Sequence, residues 1–138
     1  MTELRNSSPS GALLERFYSA INERDHAKGT ALLADDFEWN VPEGALHSGS
    51  HRGREEAAGI VASLLEPFDE FEIELEELHE RGDTTVAVVR QRGKGRVSGV
   101  EVEIRIAHRW TVAGDGRLAS LEEFAQSASA VRALEADG

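Results

Sequence analysis

The chain is long enough for one domain with its own core, and its charge excludes two classes of partner. Its 138 residues are 40% hydrophobic and 30% charged, as in an ordinary globular domain. It has no cysteine, which excludes disulfides, thiolate metal ligands and cysteine nucleophiles. The net charge of −11 disfavours nucleic acid and anionic membranes, because both need a basic surface. No apolar run is long enough for a membrane helix or an export signal, so we expect a cytoplasmic protein.

The N-terminal half of the chain has the spacing of helices. Apolar residues form one stripe from Leu14 to Ile21, which is typical of an amphipathic helix that packs on a core. Phe37, Trp39 and Val41 instead alternate with polar residues and predict a short strand. The predicted elements are a frayed segment over 1–9, helices over 10–22, 27–33 and 54–65, a strand over 37–41, and a loop over 43–53.

The C-terminal half alternates with a period of two, which is the mark of strands with two unlike faces. Asp115-Gly116 between the last two runs is a strong hairpin signal. Glu77 interrupts one alternation and predicts a β-bulge. The predicted strands cover 71–78, 85–92, 100–112 and 117–124, with turns at 81–83, 93–95 and 113–116, and a short C-terminal helix follows over 127–136.

The order of these elements predicts an α+β fold. Three helices precede a run of antiparallel strands, so we expect the helices to pack on one face of a curved sheet. The sequence shows no internal repeat and no linker, which predicts a single domain over residues 1–138.

Four motifs carry a resemblance to a known family. They are Phe17-Tyr18-x-Ala20-Ile21-Asn22-x-x-Asp25, Leu33-Ala34-Asp35-Asp36-Phe37-x-Trp39-x-x-Pro42, Gly53, and His108-x-Trp110-Thr111 followed by Asp115-Gly116-Arg117. Their order and spacing resemble the SnoaL-like branch of the nuclear transport factor 2-like superfamily, over about residues 11–135. The resemblance implies a cone-shaped, bent sheet, antiparallel or mixed, wrapped around three N-terminal helices. It also implies an internal cavity and frequent dimerisation through the sheet's outer face.

The resemblance does not select a reaction, since the superfamily includes polyketide cyclases, ketosteroid isomerases, epoxide hydrolases and proteins of unknown function. Ketosteroid isomerases place a tyrosine, an aspartate and an acidic hydrogen-bond donor in the cavity. Aligning the motifs puts those three groups at Phe17, Val41 and Ala107. Because all three polar groups are missing, steroid-isomerase chemistry is not expected here.

One carboxylate is left as a candidate general acid or base. The resemblance places Glu123 near the last-strand carboxylate of the family's hydrolases and cyclases, with Arg109 or Arg105 as the cation that orients it. Two alternatives stay open. In the first, a turn or bulge shifts the strand, which leaves Glu123 in solvent and turns Glu122 inward. In the second, Arg105 and Arg109 form a solvated ladder opposite Glu101 and Glu103.

The remaining candidates concern the pocket and metals. His108 is interpreted either as a buried, satisfied histidine or as a catalytic one. His47 and His51 are four residues apart, but they lie in a glycine-containing loop, so we interpret them as solvated and expect no metal or cofactor. The predicted ligand pocket consists of Phe17, Tyr18, Trp39, Val41, Ala107 and Leu121.

The first functional hypothesis is a homodimer whose mostly apolar cavity binds a small hydrophobic or weakly polar molecule. One alternative is a cyclase, lyase or hydrolase that uses Glu123, and another is a non-catalytic dimerisation or accessory domain. The dimer is expected through the even-numbered apolar face of residues 100–112, which exposes more aliphatic surface than a monomer usually does. The alignment points the odd-numbered face at the cavity, whereas hydrophobicity would bury the even one.

Overall fold

The computed structural model describes residues 9–41 and 48–124. Within these ranges, no helix is long and apolar enough to cross a membrane. The predicted C-terminal helix over 127–136 and residues 1–8 lie outside the described residues. The described elements are α1 (Pro9–Asn22), α2 (His26–Thr30), β1 (Leu33–Val41), β2 (Gly49–Arg52), α3 (Arg54–Leu65), β3 (Phe68–Arg81), β4 (Thr84–Gly95), β5 (Glu101–Val112) and β6 (Leu118–Phe124).

The helices agree with the sequence pattern except at three ends. The third helix has the predicted bounds, and the first begins at Pro9, a residue type that the first turn of a helix accepts. Asp25 caps α2 by accepting a hydrogen bond from the Lys28 N–H at 3.1 Å. That helix ends at Thr30, three residues before the predicted end, because the chain from Leu33 onward is already extended in β1.

The six strands form one mixed sheet in the order β2-β1-β6-β5-β4-β3. All neighbouring strands are antiparallel except β1 and β6, which run parallel. This one parallel pair joins the N-terminal half of the chain to its last strand. As a result Trp39 lies opposite Leu121, two residues from Glu123.

Two of the predicted loops contain strand residues, and the predicted bulge is confirmed. The loop over 43–53 contains β2, a four-residue strand without an apolar side chain, so no alternation marked it. Residues 93–95, predicted as a turn, continue β4, and the turn follows at 96–98. The β3–β4 register shifts between Leu75 and Glu77, where the bulge was predicted.

Gly93 is a glycine because an aromatic ring covers it. The Phe68 ring lies against the strand at this point, and a Cβ on Gly93 would be 2.7 Å from Phe68 Cδ1. Gly93 therefore serves the close approach of Phe68 to the sheet, and the expectation of a turn here was wrong for that reason.

We expect Gly93→Ala to lower the free energy of unfolding by about 1 kcal/mol, because the Phe68 ring must move away. The matched control is Gly59→Ala in α3, where a Cβ meets no atom within 4 Å. That control should raise stability by up to about 1 kcal/mol through helix propensity. Urea unfolding of both variants checks the pair, and an equal gain in both would contradict the role given to Phe68.

The even-numbered face of β5 is the concave face of the sheet. Ile106, His108 and Trp110 point into the interior, and Val102 and Ile104 follow on the same face with about half of their surface exposed. The hydrophobic pattern therefore indicated the correct buried face of β5, and the alignment to the family motifs was displaced by one residue. A dimer through the whole even face is excluded, since half of that face is core.

The end of α1 is fastened to an edge of the sheet. The Asn22 side chain donates from Nδ2 to the Ile73 carbonyl at 3.0 Å and accepts from the Ile73 N–H at 2.7 Å. Because β3 is an edge strand, these backbone groups have no neighbouring strand on that side. Asn22 supplies the missing donor and acceptor and so fixes α1 against β3.

Candidate functional site

A cavity of about 390 Å³ lies between the helices and the concave face of the sheet. Its buried wall is aromatic and aliphatic, as in most sites for small organic molecules. Exposed wall residues such as Arg24, Asp25 and Arg92 mark where the cavity meets solvent. The buried wall includes Phe17, Leu33, Phe37, Trp39, Val41, Trp110 and Leu121.

Most of the predicted pocket residues are in this wall, and two are not. Phe17, Trp39, Val41 and Leu121 line the cavity. Tyr18 is buried behind the wall instead, where its hydroxyl meets His108.

Ala107 lies on the opposite face of the sheet, packed with Val86 and Val88, and so cannot contact a ligand in this cavity. Its placement was wrong by one residue, and one residue along a strand changes the face. His108 takes the place in the cavity wall that was expected for Ala107.

Trp110 is the centre of the aromatic scaffold. It is fully buried, with the Phe17 ring packed edge-on at a centroid distance of 5.1 Å and the Phe37 ring at 6.2 Å. Such ring pairs add stability beyond their buried area. The cavity wall is therefore preformed by rings that hold each other in place.

Glu123 is on the cavity wall, in a polar corner made by the strands β1, β5 and β6. Its Oε2 accepts a hydrogen bond from Trp39 Nε1 at 3.0 Å, and its Oε1 is 3.7 Å from His108 Nε2. His108 and Glu123 are register partners on β5 and β6, which sets this proximity. The Glu123 side chain is 20% exposed and that of His108 is 7% exposed. Of the two alternatives left open by the sequence, the structure therefore has Glu123 inside and Glu122 outside.

The surroundings of Glu123 keep its carboxyl group ionised. Burial alone would raise its pKa, but the His108 ring and the Trp39 N–H together outweigh burial and hold the pKa below its ordinary value of 4.5. Near neutral pH the cavity therefore contains a carboxylate.

A chain of hydrogen bonds behind the wall fixes the orientation of the His108 ring. Trp110 Nε1 donates to the Tyr18 hydroxyl oxygen at 3.0 Å, and the same hydroxyl is 2.8 Å from His108 Nδ1. An indole nitrogen can only donate, so the Tyr18 oxygen is the acceptor toward Trp110, and the same hydroxyl links Trp110 to the His108 ring. Burial raises the pKa of Tyr18 far above its ordinary value, so the hydroxyl stays protonated within this series of hydrogen bonds. The Nε2 atom of His108 is then the ring nitrogen that faces Glu123.

The predicted pair of Glu123 and Arg109 does not form. Arg109 is the register partner of Glu122, and its Nη1 is 3.9 Å from the Glu122 carboxylate on the outer face of the sheet. Arg105 is on that face as well, with hydrogen bonds of 2.7 and 2.6 Å to Glu76 and Glu77. The correction follows from strand alternation, because odd residues of β5 face away from the cavity.

The other histidine candidates do not form a metal site in the part of the chain that the structure describes. His51 is on β2, with its Nδ1 3.7 Å from a Glu56 carboxylate oxygen, whereas His47 is outside the described residues. Within 9–41 and 48–124, there is no group of three or more histidine and acidic side chains that could hold a metal ion.

Sequence reasoning missed the part that His108 plays in the site. It is the next member of the series Val102, Ile104 and Ile106 on the concave face, which could have indicated its orientation. Its partners Tyr18 and Glu123 are 90 and 15 residues away in sequence, and only the fold brings them together.

The fold and the cavity define the class of protein. A bent mixed sheet packed on N-terminal helices, with a cavity between the two layers, is the nuclear transport factor 2-like fold. More narrowly, the chain belongs to the SnoaL-like family, since the model of the SnoaL-like domain matches residues 14–121.

Solved structures support this assignment. A nuclear transport factor 2-like protein from Burkholderia thailandensis is 30% identical, with a TM-score of 0.73 over 91% of this chain and 96% of that one. TerC, co-crystallised with polyporic acid, is 21% identical, with a TM-score of 0.76 over 93% and 99% of the two chains. A Mycobacterium tuberculosis protein in complex with estradiol-17beta-hemisuccinate is 15% identical, with a TM-score of 0.74 over 85% and 93%. The last two share the fold alone, and no curated protein matches the chain.

Proposed function

We propose that this protein binds a small, mostly apolar organic molecule in its cavity, beside Glu123. The observation that carries the proposal is the cavity of about 390 Å³, whose wall is aromatic and aliphatic except for a few polar groups. An accessory domain would be expected to fill this space with its own aromatic side chains. TerC and the Mycobacterium tuberculosis protein were both crystallised with small organic molecules, which supports a similar use of the same fold.

The electrostatics of Glu123 favour binding over proton abstraction. A general base works best when its pKa is close to the working pH. The pKa of Glu123 is instead held below 4.5, so the group is ionised but weakly basic. We therefore assign Glu123 first as a ligand anchor.

A catalytic role for Glu123 is the second candidate. It is supported by the position of the carboxylate in the cavity wall, with the N–H of Trp39 to orient it. A cyclase, lyase or hydrolase of this kind would use Glu123 as general acid or base without Arg109. Glu123→Gln would abolish turnover in such an enzyme and would change the affinity for an uncharged ligand little.

A neutral, environment-sensitive dye such as Nile red tests the binding proposal. Val61 lines the cavity from α3, whereas Ala62 beside it is exposed. We expect Val61→Trp to fill the cavity and remove dye binding, and Ala62→Trp to leave it unchanged. Circular dichroism confirms that both variants fold. If the native protein does not bind the dye, or if both variants bind equally, the cavity is not the binding site.

The same proposal includes a homodimer through the exposed part of β5, in a cytoplasmic protein. Val102 and Ile104 are 46% and 52% exposed, and Val100 beside them is 58% exposed. Three neighbouring aliphatic side chains in water favour association with a second copy. Fractionation of cells would test the location.

We expect Ile104→Asp to shift the protein from dimer to monomer, because it places a charge in a desolvated interface. Val97→Asp is the matched control, since Val97 is 98% exposed in the turn before β5. Light scattering at micromolar concentration measures both variants. A monomeric native protein would exclude the dimer.

A further inference from the structure

In the described part of the chain, no arginine or lysine lies within 4 Å of the Glu123 carboxylate. Among the described residues, His108 is the one basic side chain within 4 Å of its oxygens. Arg109, which was expected to neutralise it, is on the other face with Glu122. A mostly buried charge without an arginine or lysine partner is costly, so this carboxylate favours an occupant that compensates it.

His108 approaches the carboxylate without a direct hydrogen bond. Its Nδ1 is 2.8 Å from the Tyr18 hydroxyl, so Nε2 is the ring nitrogen that faces Glu123. The distance of 3.7 Å from Nε2 to Glu123 is longer than a hydrogen bond. Glu123 therefore keeps its negative charge and some of its capacity to accept hydrogen bonds.

The cations of the exposed cavity wall are engaged elsewhere. Arg24 donates to the Phe68 carbonyl at 2.7 Å, and Arg92 donates to the Glu72 carboxylate at 2.6 Å. An anionic ligand group at Glu123 would meet like charge and, in the described surroundings of this carboxylate, no arginine or lysine.

We propose that the preferred ligand is an apolar molecule that bears a protonated nitrogen, with the nitrogen seated on Glu123 and the apolar part between the aromatic rings of the cavity. This inference rests on the binding function proposed above. The ammonium group would donate to the open acceptor positions of Glu123 and would replace the missing cation. The faces of Trp39 and Phe37 also attract cations. The net charge of −11 adds a long-range attraction for cationic ligands.

Three matched probes test the inference by calorimetry on the native protein. Naphthylethylamine, naphthylethanol and naphthylacetate have the same aromatic part but carry a cation, a neutral hydroxyl and an anion. We expect the amine to bind at least about tenfold more tightly than the alcohol, and the acetate to bind most weakly. The preference for the amine should decrease as salt is raised.

Two neighbouring variants separate the role of Glu123 from general electrostatics. Glu123→Gln should lower the affinity for the amine to about that for the alcohol and should leave the affinity for the alcohol unchanged. Glu122→Gln removes the same charge on the other face, where Glu122 meets Arg109, and should leave all three affinities unchanged. The comparison of the three probes on the native protein stands even if Glu123→Gln does not fold.

The possible results distinguish this inference from the proposed function. Equal affinity for amine and alcohol, or tighter binding of the acetate, overturns the inference and leaves a cavity that binds apolar molecules. Equal losses in both variants overturn it as well, because the effect would then be one of net charge. If none of the probes binds and Nile red does not bind either, the proposed function itself fails.

Discussion

Replacing Tyr18 with phenylalanine is expected to lower the free energy of unfolding by about 2–4 kcal/mol, because it leaves two buried groups without a partner. The hydroxyl of Tyr18 accepts from Trp110 Nε1 and is hydrogen-bonded to His108 Nδ1, and all three residues are at most 5% exposed. The substitution removes one oxygen and leaves the ring, so the loss reports on hydrogen bonding and little on packing. Urea unfolding followed by tryptophan fluorescence measures the loss.

A double-mutant cycle with His108→Leu shows whether the loss arises in this chain of hydrogen bonds. Tyr18 and His108 are in direct contact. The sum of the two single losses in unfolding free energy should therefore exceed the loss in the double variant by about 1 kcal/mol or more. Additive losses would show that the hydroxyl acts elsewhere. A loss below about 0.5 kcal/mol in Tyr18→Phe would contradict the assigned hydrogen bonds altogether.

Glu123→Gln is expected to lower the free energy of unfolding at neutral pH by about 1.5–3 kcal/mol, the usual value for hydrogen bonds to a charged group. The pKa of Glu123 is lowered in the folded protein, so its ionised form contributes stability above its ordinary value of 4.5. That contribution is lost as the pH falls through the lower pKa of the folded state. The difference between native protein and variant should therefore be largest near neutral pH and should shrink in acid.

Urea unfolding between neutral pH and pH 3 measures this difference. Glu122→Gln is the matched control, since Glu122 is 48% exposed on the other face and its contact with Arg109 is long, at 3.9 Å. We expect its effect on stability to be within about 0.5 kcal/mol at every pH. A difference for Glu123→Gln that grows in acid would show that burial, not His108 and the Trp39 N–H, dominates the pKa of Glu123.

The fold could be predicted where one side-chain pattern decides the structure. The bounds of α3 follow from its apolar stripe and from Pro67, and the bulge follows from Glu77. β2 could not be predicted, because its four residues have no apolar member and its pairing with β1 alone makes it a strand. Gly93 misled the prediction because its role depends on Phe68, which is 25 residues away.

The partners of Glu123 depend on the register between β5 and β6, and the sequence of one strand does not reveal that register. The resemblance pointed to Glu123 as the cavity carboxylate, but its partner depends on how β6 pairs with β5. The structure pairs Glu123 with His108 and Glu122 with Arg109, so the carboxylate was found and its predicted cation was not. Tyr18 was expected as a wall residue, whereas it acts from behind the wall by orienting His108.

The clamp between Asn22 and Ile73 also has a consequence for colloidal behaviour. The edge strand β3 is 14 residues long, and an open edge of that length is a template on which other chains can aggregate. Asn22 blocks the middle of this edge, and the exposed glutamates Glu70, Glu72 and Glu74 would bring like charges together if two copies met there. This electrostatic protection is weakest near the isoelectric point of about 4.9, so the protein is best stored well above that pH.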